Sequence, residues 1–384
     1  MIPANSGPAE LDAELARLLG DAAALAPAAA VQYAVRGELS DVVTAGSLQT
    51  VDAAGAHIPA GDRDPVPPES LFDLASVTKV VSAMTLLTLV DDGLVDLDEP
   101  IGAYLDQFAG GDKMAVTLRH LLTHTSGLPA TWSGWQGVLG TRFSPADFTA
   151  GTARRELLAD LLATPLAHRP GTYWEYSCVG FITAMAAAEQ AANAPWPLLV
   201  RSRVLEPLEL SGITFSPDPA RTAATELQPD AGRGVVRGIV HDETAWSLGG
   251  ACANAGLFAA VTDVVRLGEV IRVPGEGRVG RAATRMWPEE VPATFRPADG
   301  PGQDLAHGHT LGLRIGQTEW MTDAGARARG HSGFTGTSLH VDREKGLTVA
   351  ILTNRVHPLR TTADPASGIH ALRRAITSAI YERT

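Results

Sequence analysis

The sequence predicts an α+β fold, in which an antiparallel sheet of about five strands is flanked by N- and C-terminal helices and joined to an α-helical lobe. Three observations predict it: strand patterns lie near both ends of the chain, helical patterns fill its middle, and a helical pattern stands at each terminus. With 384 residues, 45% of them hydrophobic, the chain can bury a sizeable core. We therefore expect one unit over 1–384, with an α/β lobe from about 1–75 and 305–384 and a helical lobe from about 76–304.

The first half of the chain predicts one helix, two strands and then a series of helices. Residues 9–26 have the amphipathic pattern of a helix that ends at Pro27. Apolar runs at 31–36 and 41–47 predict strands, and the Gly, Pro and Asp residues of 52–70 predict a loop. Helical patterns then follow at 76–91, 118–124 (with Thr117 as its cap), 145–163, 178–192 and 195–206.

The last third of the chain predicts a return to strands. A stretch rich in Gly, Pro and Arg at 272–309 predicts an irregular excursion on the surface. The elements predicted after it are strands at 311–315, 335–341 and 347–353, a hairpin connection at 342–346, and a terminal helix at about 365–382.

The composition excludes several classes of protein. The chain has 31 basic and 43 acidic residues, a formal charge of −12, whereas a nucleic-acid-binding protein needs a basic face. Two cysteines, Cys178 and Cys252, cannot build a disulfide scaffold and are expected to be small buried hydrophobes. The acidic first thirty residues do not resemble a secretory signal, and no run approaches about 18 apolar residues. We expect a soluble, cytoplasmic protein that binds neither nucleic acid nor a membrane.

The local pattern with the clearest chemistry is Ser76-Val77-Thr78-Lys79 at the start of a predicted helix. Positions i and i+3 lie on one helix face, so the serine hydroxyl and the lysine amine can meet. A neutral lysine can take the serine proton, and the helix N-terminus offers N–H groups that stabilise an oxyanion. Lysine is rare here, at only three positions, which makes a chance match less frequent.

Longer motifs place this pair in context. They are 71–75 (Leu-Phe-Asp-Leu-Ala), 119–129 (Arg-His-Leu-Leu-Thr-His-Thr-Ser-Gly-Leu-Pro), Tyr176-Ser177 and 330–338 (Gly-His-Ser-Gly-Phe-Thr-Gly-Thr-Ser). Together they closely resemble the serine β-lactamase-like family, which contains class C β-lactamases, DD-peptidases, family VIII-type esterases and related transacylases. The resemblance runs from about Phe72 to Asn354 and implies a β-lactamase/DD-peptidase-like fold.

The resemblance also implies a role for each motif. Ser76 matches the acyl-enzyme nucleophile, Lys79 its base, and Tyr176 the phenol that relays the proton and protonates the leaving group. The backbone N–H groups of Ser76 and Phe334 would form the oxyanion hole. The run His331-Ser332-Gly333 matches the third motif, on the strand that edges the site and contacts the substrate.

Two departures from the family pattern bear on the substrate. Cys178 stands where many relatives have an asparagine that contacts a substrate amide. His331, largely neutral near pH 7, stands where the lactamases have a lysine for the substrate carboxylate. Both departures favour a substrate without an obligatory carboxylate, such as an ester, over a β-lactam or a peptide.

Other residues allow two interpretations each. The segment 241–245, with His241 and Asp242, resembles a stretch that borders the cleft in relatives and either lines the pocket or packs between lobes. Relatives often have histidine at the position of Asn254. Tryptophans could line an apolar acyl or leaving-group pocket or belong to the core: Trp132, Trp135, Trp174 and Trp246.

Two other catalytic patterns fail on their spacing. His120 and His124 share a helix face, but the zinc-protease pattern needs glutamate after the first histidine, and Leu121 is there. A structural role for both histidines is expected. Gly330-His331-Ser332-Gly333-Phe334 lacks the final glycine of a nucleophile elbow.

The sequence therefore predicts a serine acyl-enzyme hydrolase or acyltransferase that needs no metal or organic cofactor. Its expected partner is a small-molecule ester or amide, with an amine as one candidate acceptor, as in natural-product biosynthesis. The alternatives are a β-lactamase or D-amino-acid peptidase, and a non-catalytic binder that retains the fold. Hydrolysis and transfer use the same catalytic residues, so the sequence does not separate them.

Overall fold

The computed structural model describes residues 8–139, 151–360 and 365–384. Its helices are α1 (Pro8–Asp21), α2 (Thr78–Asp91), α3 (Leu118–Leu122), α4 (Thr152–Leu162), α5 (Cys178–Ala192), α6 (Trp196–Val200), α7 (Glu243–Ser247), α8 (Val261–Arg272), α9 (Gly277–Arg285), α10 (Thr318–Met321) and α11 (Pro365–Tyr381). Its strands are β1 (Ala28–Val35), β2 (Glu38–Leu39), β3 (Val43–Gly46), β4 (Phe72–Asp73), β5 (Leu227–Gln228), β6 (Gly234–Val235), β7 (Phe258–Ala259), β8 (Thr294–Phe295), β9 (Gln303–Asp304), β10 (Gly308–His309), β11 (Arg314–Ile315), β12 (Arg329–Ser332), β13 (Ser338–Asp342) and β14 (Leu347–Thr353).

Both ends of the chain contribute to one antiparallel sheet. Within the described residues it has eight strands in the order β10-β11-β12-β13-β14-β1-β2, and β3 also pairs with β1. The central pair joins β1 to β14, from Ala29 opposite Thr353 to Val35 opposite Leu347. The predicted α+β fold with an antiparallel sheet is confirmed. The predicted number of about five strands corresponds to the five that have four or more residues, namely β1, β3, β12, β13 and β14.

Helices cover both faces of this sheet because its central strands are apolar on both sides. On β1, Ala29, Val31 and Tyr33 pack with α1 and α11, whereas Ala28 and Ala30 face the core that contains α8. Successive side chains of a strand point to opposite faces, so one strand serves both layers. α8 lies within the range predicted for the helical lobe but packs against β13 and β14. The division into two lobes stays a prediction.

Helix α2 lies in the middle of the molecule and is buried from Thr78 to Leu89. A helix that is apolar on every side is expected inside a large core. Thr117 caps α3 by accepting the N–H of His120, as the sequence predicts. α5 has the predicted bounds, 178–192. No helix of the described residues has the length and apolar character needed to cross a membrane.

Four local predictions need correction or qualification. The stretch 272–309 contains α9, β8, β9 and β10, and α9 packs on α2 through buried Val279, Ala282 and Ala283. One face of α9 consists of small residues and the other of arginines, and for this reason the sequence did not predict this helix. The predicted strand at 311–315 is only β11, and the one at 335–341 begins at 338, because Gly333 N–H bonds to Thr337 O across a turn. The beginning of the helix predicted at 145–163 lies outside the described residues.

Candidate active site

The candidate nucleophile lies in a strained turn between β4 and α2. Ser76 belongs to a short 3-10 turn, and Ala75 before it has a φ of +46°, a left-handed conformation that is costly for alanine. The buried carboxylate of Asp73 accepts the N–H of Ala75 at 2.8 Å and the N–H of His241 at 2.6 Å. These two hydrogen bonds hold the turn in the conformation that presents Ser76 at the start of α2.

Lys79 is fully buried one helical turn after Ser76. Its Nζ lies 3.0 Å from Ser76 Oγ, 3.0 Å from the carbonyl oxygen of Asn254 and 3.4 Å from Cys178 Sγ. Burial lowers the pKa of Lys79, but the electrostatic interactions of its amine with Cys178 and Tyr176 outweigh burial, and the net direction is upward. The serine–lysine contact is therefore formed, and the amine that would take the serine proton is mainly ammonium near neutral pH.

Tyr176 adjoins the same amine. Lys79 Nζ lies 5.0 Å from the centre of the Tyr176 ring, and Arg314 Cζ lies 5.1 Å from it. The Tyr176 hydroxyl is buried beside Lys79 and Arg314 but makes no hydrogen bond of ordinary geometry to a described residue, so it can bond to a bound substrate. The ring of His124 packs 4.5 Å from the Tyr176 ring, centre to centre.

His124 and His120 serve the fold. His124 Nδ1 accepts the N–H of Ser177 at 3.1 Å, which orients the tyrosine segment. Burial and the nearby Lys79 hold the pKa of His124 well below its ordinary value. His120 Nδ1 accepts the N–H of Thr117 at the start of α3. Among the described residues no group of three His, Cys, Asp or Glu side chains could hold a metal ion.

The third motif lies beside the nucleophile, at the end of β12. A Cβ on Gly333 would lie 2.2 Å from Thr337 Oγ1 and 2.6 Å from the Leu74 carbonyl oxygen, so only glycine allows this approach. The backbone N–H groups of Ser76 and Phe334 donate no hydrogen bond to another described residue. Both are available to an oxyanion, and the oxyanion-hole assignment stays a prediction.

One cleft of about 210 Å³ is lined by five of the eleven predicted site residues. Its lining includes the predicted Ser76, Tyr176, Ser332, Gly333 and Phe334, together with the unpredicted Arg314, Arg355, Ile369, His370 and Arg373. A larger cleft of about 600 Å³, between Tyr104 and Glu189, contains none of the predicted site residues. Because the smaller cleft holds the serine and the tyrosine, we take it as the candidate active site.

Three arginines line this cleft. Arg314 Nη1 donates to Ser332 Oγ at 3.1 Å, and Arg355 Nε donates to the Phe334 carbonyl oxygen at 2.7 Å. Arg373 is buried and donates to the carbonyl oxygens of Gly333 and Thr337. Burial, with Arg355 and Arg314 nearby, lowers the pKa of Arg373 to about 9, so it still carries a charge at neutral pH.

The positive charge of this cleft was not predicted from the sequence, which considered only His331 at this place. His331 is buried, and burial and Arg314 hold its pKa well below its ordinary value. The charge comes from other elements, with Arg314 on β11, the strand that pairs with β12. The available sequence signal was one arginine inside the apolar run 311–315.

The other predicted substrate residues lie around the cleft. His241 is buried, bonds to Glu226 at 2.9 Å and stacks 5.6 Å from the ring of Phe334. Asp242 caps α7 and accepts from the Asn254 side chain at 3.1 Å. Both therefore support the nucleophile's turn and the Lys79 contact, and direct contact of either with a substrate stays a prediction.

Trp174 and Cys178 flank Tyr176 along the chain. The Gln303 side chain accepts a hydrogen bond from the Trp174 N–H and donates one to the Trp174 carbonyl oxygen, which connects the tyrosine segment to the stretch 272–309. Its indole lies 4.6 Å from the ring of His309. Cys178 is half-buried and contacts Lys79, whereas Cys252 is fully buried. The prediction that both cysteines are buried hydrophobes holds for Cys252 only.

Comparison with known proteins is consistent with this geometry. The family model described as "Beta-lactamase" matches residues 27–372. A protein of Salmonella agona (strain SL483), named "Putative D-alanyl-D-alanine carboxypeptidase", is 29% identical over 319 residues, which are 75% of this chain and 70% of that protein.

Two solved structures have a similar fold. "EstCE1, a hydrolase with promiscuous acyltransferase activity" has a TM-score of 0.72 and 20% identity, and the match covers 97% of this chain and 98% of that one. A "Beta-Lactamase/D-Alanine Carboxypeptidase" from Pseudomonas syringae has a TM-score of 0.70 and 16% identity, with 97% and 99% covered. The chain therefore belongs to the beta-lactamase family of serine hydrolases and acyltransferases and has its fold.

Proposed function

We propose that the protein is a serine acyl-enzyme catalyst that acts on a small-molecule carboxyl ester and passes the acyl group to water or to an amine or alcohol. The observation that carries this proposal is the 3.0 Å contact between Ser76 Oγ and the Nζ of fully buried Lys79. Burying a lysine is costly, and a lysine buried against a serine hydroxyl is a recurrent way of activating that hydroxyl.

In the acylation step, Ser76 Oγ attacks the ester carbonyl while its proton passes to neutral Lys79. The oxyanion that forms lies at the N–H groups of Ser76 and Phe334. The tetrahedral intermediate then expels the alcohol, which receives a proton from Lys79 through the Tyr176 hydroxyl. Deacylation reverses these proton transfers, with water or another acceptor as the nucleophile.

The arginine-lined cleft supports a substrate or acceptor that carries negative charge. Arg314, Arg355 and Arg373 line the cleft beside Ser76. Guanidinium groups form bidentate hydrogen bonds with carboxylates. An ester whose acyl or alcohol portion ends in a carboxylate therefore fits the charge of this cleft better than a neutral ester. A place in cytoplasmic small-molecule biosynthesis is part of the same proposal.

The experiment that tests the proposal follows covalent labelling of Ser76. The protein is incubated with a fluorophosphonate and its intact mass is measured, alongside Ser76→Ala and the distant surface variant Ser202→Ala. We expect one adduct in the wild type and in Ser202→Ala and none in Ser76→Ala, together with hydrolysis of p-nitrophenyl acetate. Absence of both adduct and hydrolysis in the wild type would instead favour the non-catalytic binder.

A second candidate function is hydrolysis of a D-amino-acid peptide or a β-lactam. It is favoured by the same three arginines, because these substrates carry a carboxylate next to the scissile bond. It is opposed by Cys178, which stands in place of an amide side chain. Turnover of nitrocefin or of a D-Ala-D-Ala peptide faster than of an anionic p-nitrophenyl ester would select this candidate. Product analysis with added amines separates hydrolysis from transfer.

A further inference from the structure

The three N–H donors of Lys79 each have an acceptor. A lysine ammonium group has three such donors and accepts nothing. In the structure Nζ contacts Ser76 Oγ, the backbone carbonyl oxygen of Asn254 and Cys178 Sγ. Ser76 is the nucleophile and the Asn254 contact comes from the backbone. Cys178 is thus the contact through which a side-chain change can alter Lys79 without removing the nucleophile.

The position of Cys178 fixes its sulfur on this amine. It is the first residue of α5, and its backbone N–H bonds to the Ala130 carbonyl oxygen at 2.9 Å. The preceding Ser177 is buried, caps α5 by accepting the N–H of Gly180 and is itself held by His124. The sulfur is therefore held by a capped helix end, and its contact with Lys79 does not depend on a mobile loop.

Titratable groups from several elements face Lys79 besides Cys178. Burial lowers the pKa of Lys79, while electrostatic interactions with Cys178, Tyr176 and Asp242 raise it. His124 and His331 also interact with Lys79, and burial keeps both imidazoles neutral over the physiological range. Arg314 faces Cys178 and Tyr176 from β11. Cys178 and Tyr176 are the ionisable side chains beside Nζ, and of the two Cys178 lies outside the proposed proton relay.

We propose that Cys178 is a positioning residue, whose sulfur holds one N–H of Lys79 and thereby sets the pH range in which the amine can take the Ser76 proton. This inference rests on the proposed acyl-enzyme function. The proton transfer in the acylation step gives the direction of the expected effect. Neutral Lys79 takes the proton of Ser76 Oγ as the Oγ–carbonyl bond forms, and ammonium Lys79 cannot. A sulfur that favours the ammonium form therefore moves activity to higher pH, and its loss moves activity to lower pH.

Cys252 provides a matched control within the same chain. It is fully buried 3.9 Å from the Ala245 carbonyl oxygen, and burial raises the pKa of its thiol. It makes no contact with Lys79 among the described residues. Cys252→Ser changes a sulfur to an oxygen at a site away from the Lys79 amine. Cys178→Ser makes the same change beside that amine.

The test measures the rate of fluorophosphonate labelling of Ser76 as a function of pH in the wild type, Cys178→Ser, Cys178→Ala and Cys252→Ser. We expect the rising limb of the profile to move to lower pH by roughly one unit in both Cys178 variants, because both remove the sulfur whose interaction raises the pKa of Lys79. The Cys252→Ser profile should coincide with that of the wild type.

Three results are distinguishable. If the wild type is labelled and the rising limbs of all four proteins coincide, this inference is overturned and the acyl-enzyme function stands. The same holds if the labelling rate of the Cys178 variants is lowered equally at every pH. A wild type that is not labelled at any pH overturns the acyl-enzyme function itself. If Cys178→Ala fails to fold, Cys178→Ser, which keeps a small polar side chain at the helix end, gives the answer.

Discussion

Asp73 supports the nucleophile although it does not line the cleft. Its carboxylate accepts two backbone N–H groups, from Ala75 and His241, and its backbone carbonyl accepts the Thr335 hydroxyl at 2.7 Å. It thus joins the nucleophile's turn, the segment at 241 and the loop of the third motif. Burial raises the pKa of this carboxyl, and the two N–H groups partly oppose that shift.

We expect Asp73→Ala to have a free energy of unfolding roughly 2–6 kcal/mol below that of the wild type, because two buried N–H groups lose their acceptor at about 1–3 kcal/mol each. Urea unfolding followed by circular dichroism measures this change. Asp62→Ala, at an exposed carboxylate, is the matched control and should behave like the wild type. Equal midpoints for the two variants would show that Asp73 does not hold the turn.

Glu226 makes folding stability depend on pH. Burial raises its pKa, but hydrogen bonds from His241, Gln228 and Arg360 outweigh burial and lower the pKa from 4.5 to about 2. A carboxyl whose pKa is depressed by folding adds stability above its unfolded pKa and loses it as the pH falls through the folded value. The window for this loss is therefore pH 4.5 down to about 2.

We expect Glu226→Gln to be less stable than the wild type at pH 6, by at most about 3 kcal/mol, and the difference to shrink as the pH falls from 4.5 toward 2. The midpoints of urea unfolding at pH 6, 4 and 3 measure this difference in stability, and Glu69→Gln, at an exposed carboxylate, is the control. A difference between wild type and Glu226→Gln that stays constant across this range would contradict the assignment.

At the scale of elements, the contact between α8 and the sheet depends on one small residue. A Cβ on Gly268 would lie 2.5 Å from Thr348 Cγ2 and 2.8 Å from Leu339 Cδ1, both closer than such atoms approach. The helix axis therefore lies nearer the sheet than an alanine would permit. This approach brings the apolar face of α8 against β13 and β14.

We expect Gly268→Ala to lower the free energy of unfolding by about 1–3 kcal/mol, because the added methyl group overpacks this contact. Gly20 of α1 is the matched control, since a Cβ there meets open space. Gly20→Ala should leave stability unchanged or raise it by up to about 1 kcal/mol. Differential scanning calorimetry of the two variants decides the matter: similar melting temperatures would mean that α8 can shift without cost.

For the molecule as a whole, the cleft is positively charged although the net charge of the chain is negative. The chain has a formal charge of −12, yet Arg314, Arg355 and Arg373 meet at one cleft from β11, the segment after β14 and α11. Bringing like charges together is unfavourable unless a bound anion or local hydrogen bonds compensate it. Here two of the arginines bond to carbonyl oxygens of the third-motif loop, and Arg314 faces the cleft beside Tyr176.

We expect Arg314→Gln to lower kcat/KM for a p-nitrophenyl ester that ends in a carboxylate about tenfold more than for a neutral ester of equal length. A hydrogen bond to a charged group contributes about 1.5–3 kcal/mol, and tenfold corresponds to about 1.4. Arg17→Gln, on the exposed face of α1, is the control. A ratio between the two esters that is unchanged in Arg314→Gln would exclude Arg314 from substrate binding.

Local patterns in the sequence were sufficient for the elements and for the first catalytic pair. Ser76 and Lys79 stand three residues apart on a helix, so their contact follows from helix geometry alone. The bounds of α5 and the hairpin between β13 and β14 likewise follow from short-range periodicity and turn residues. The family resemblance predicted that Tyr176 and the third motif lie near this pair, and Ser76, Tyr176, Ser332 and Gly333 line one cleft.

The tertiary structure alone decided the charge of the cleft and the partners of Lys79. Arg314 lies 238 positions after Ser76 and Asn254 lies 178 after it, so neither contact has a periodic or spacing signal. α9 was not predicted because its short pattern of small residues and arginines lies among the Gly and Pro residues of 272–309, which are typical of a loop. Periodicity reports which face of an element is apolar, whereas the neighbours of that face depend on how distant elements pack. This is why the positive charge of the cleft became visible only in the folded chain.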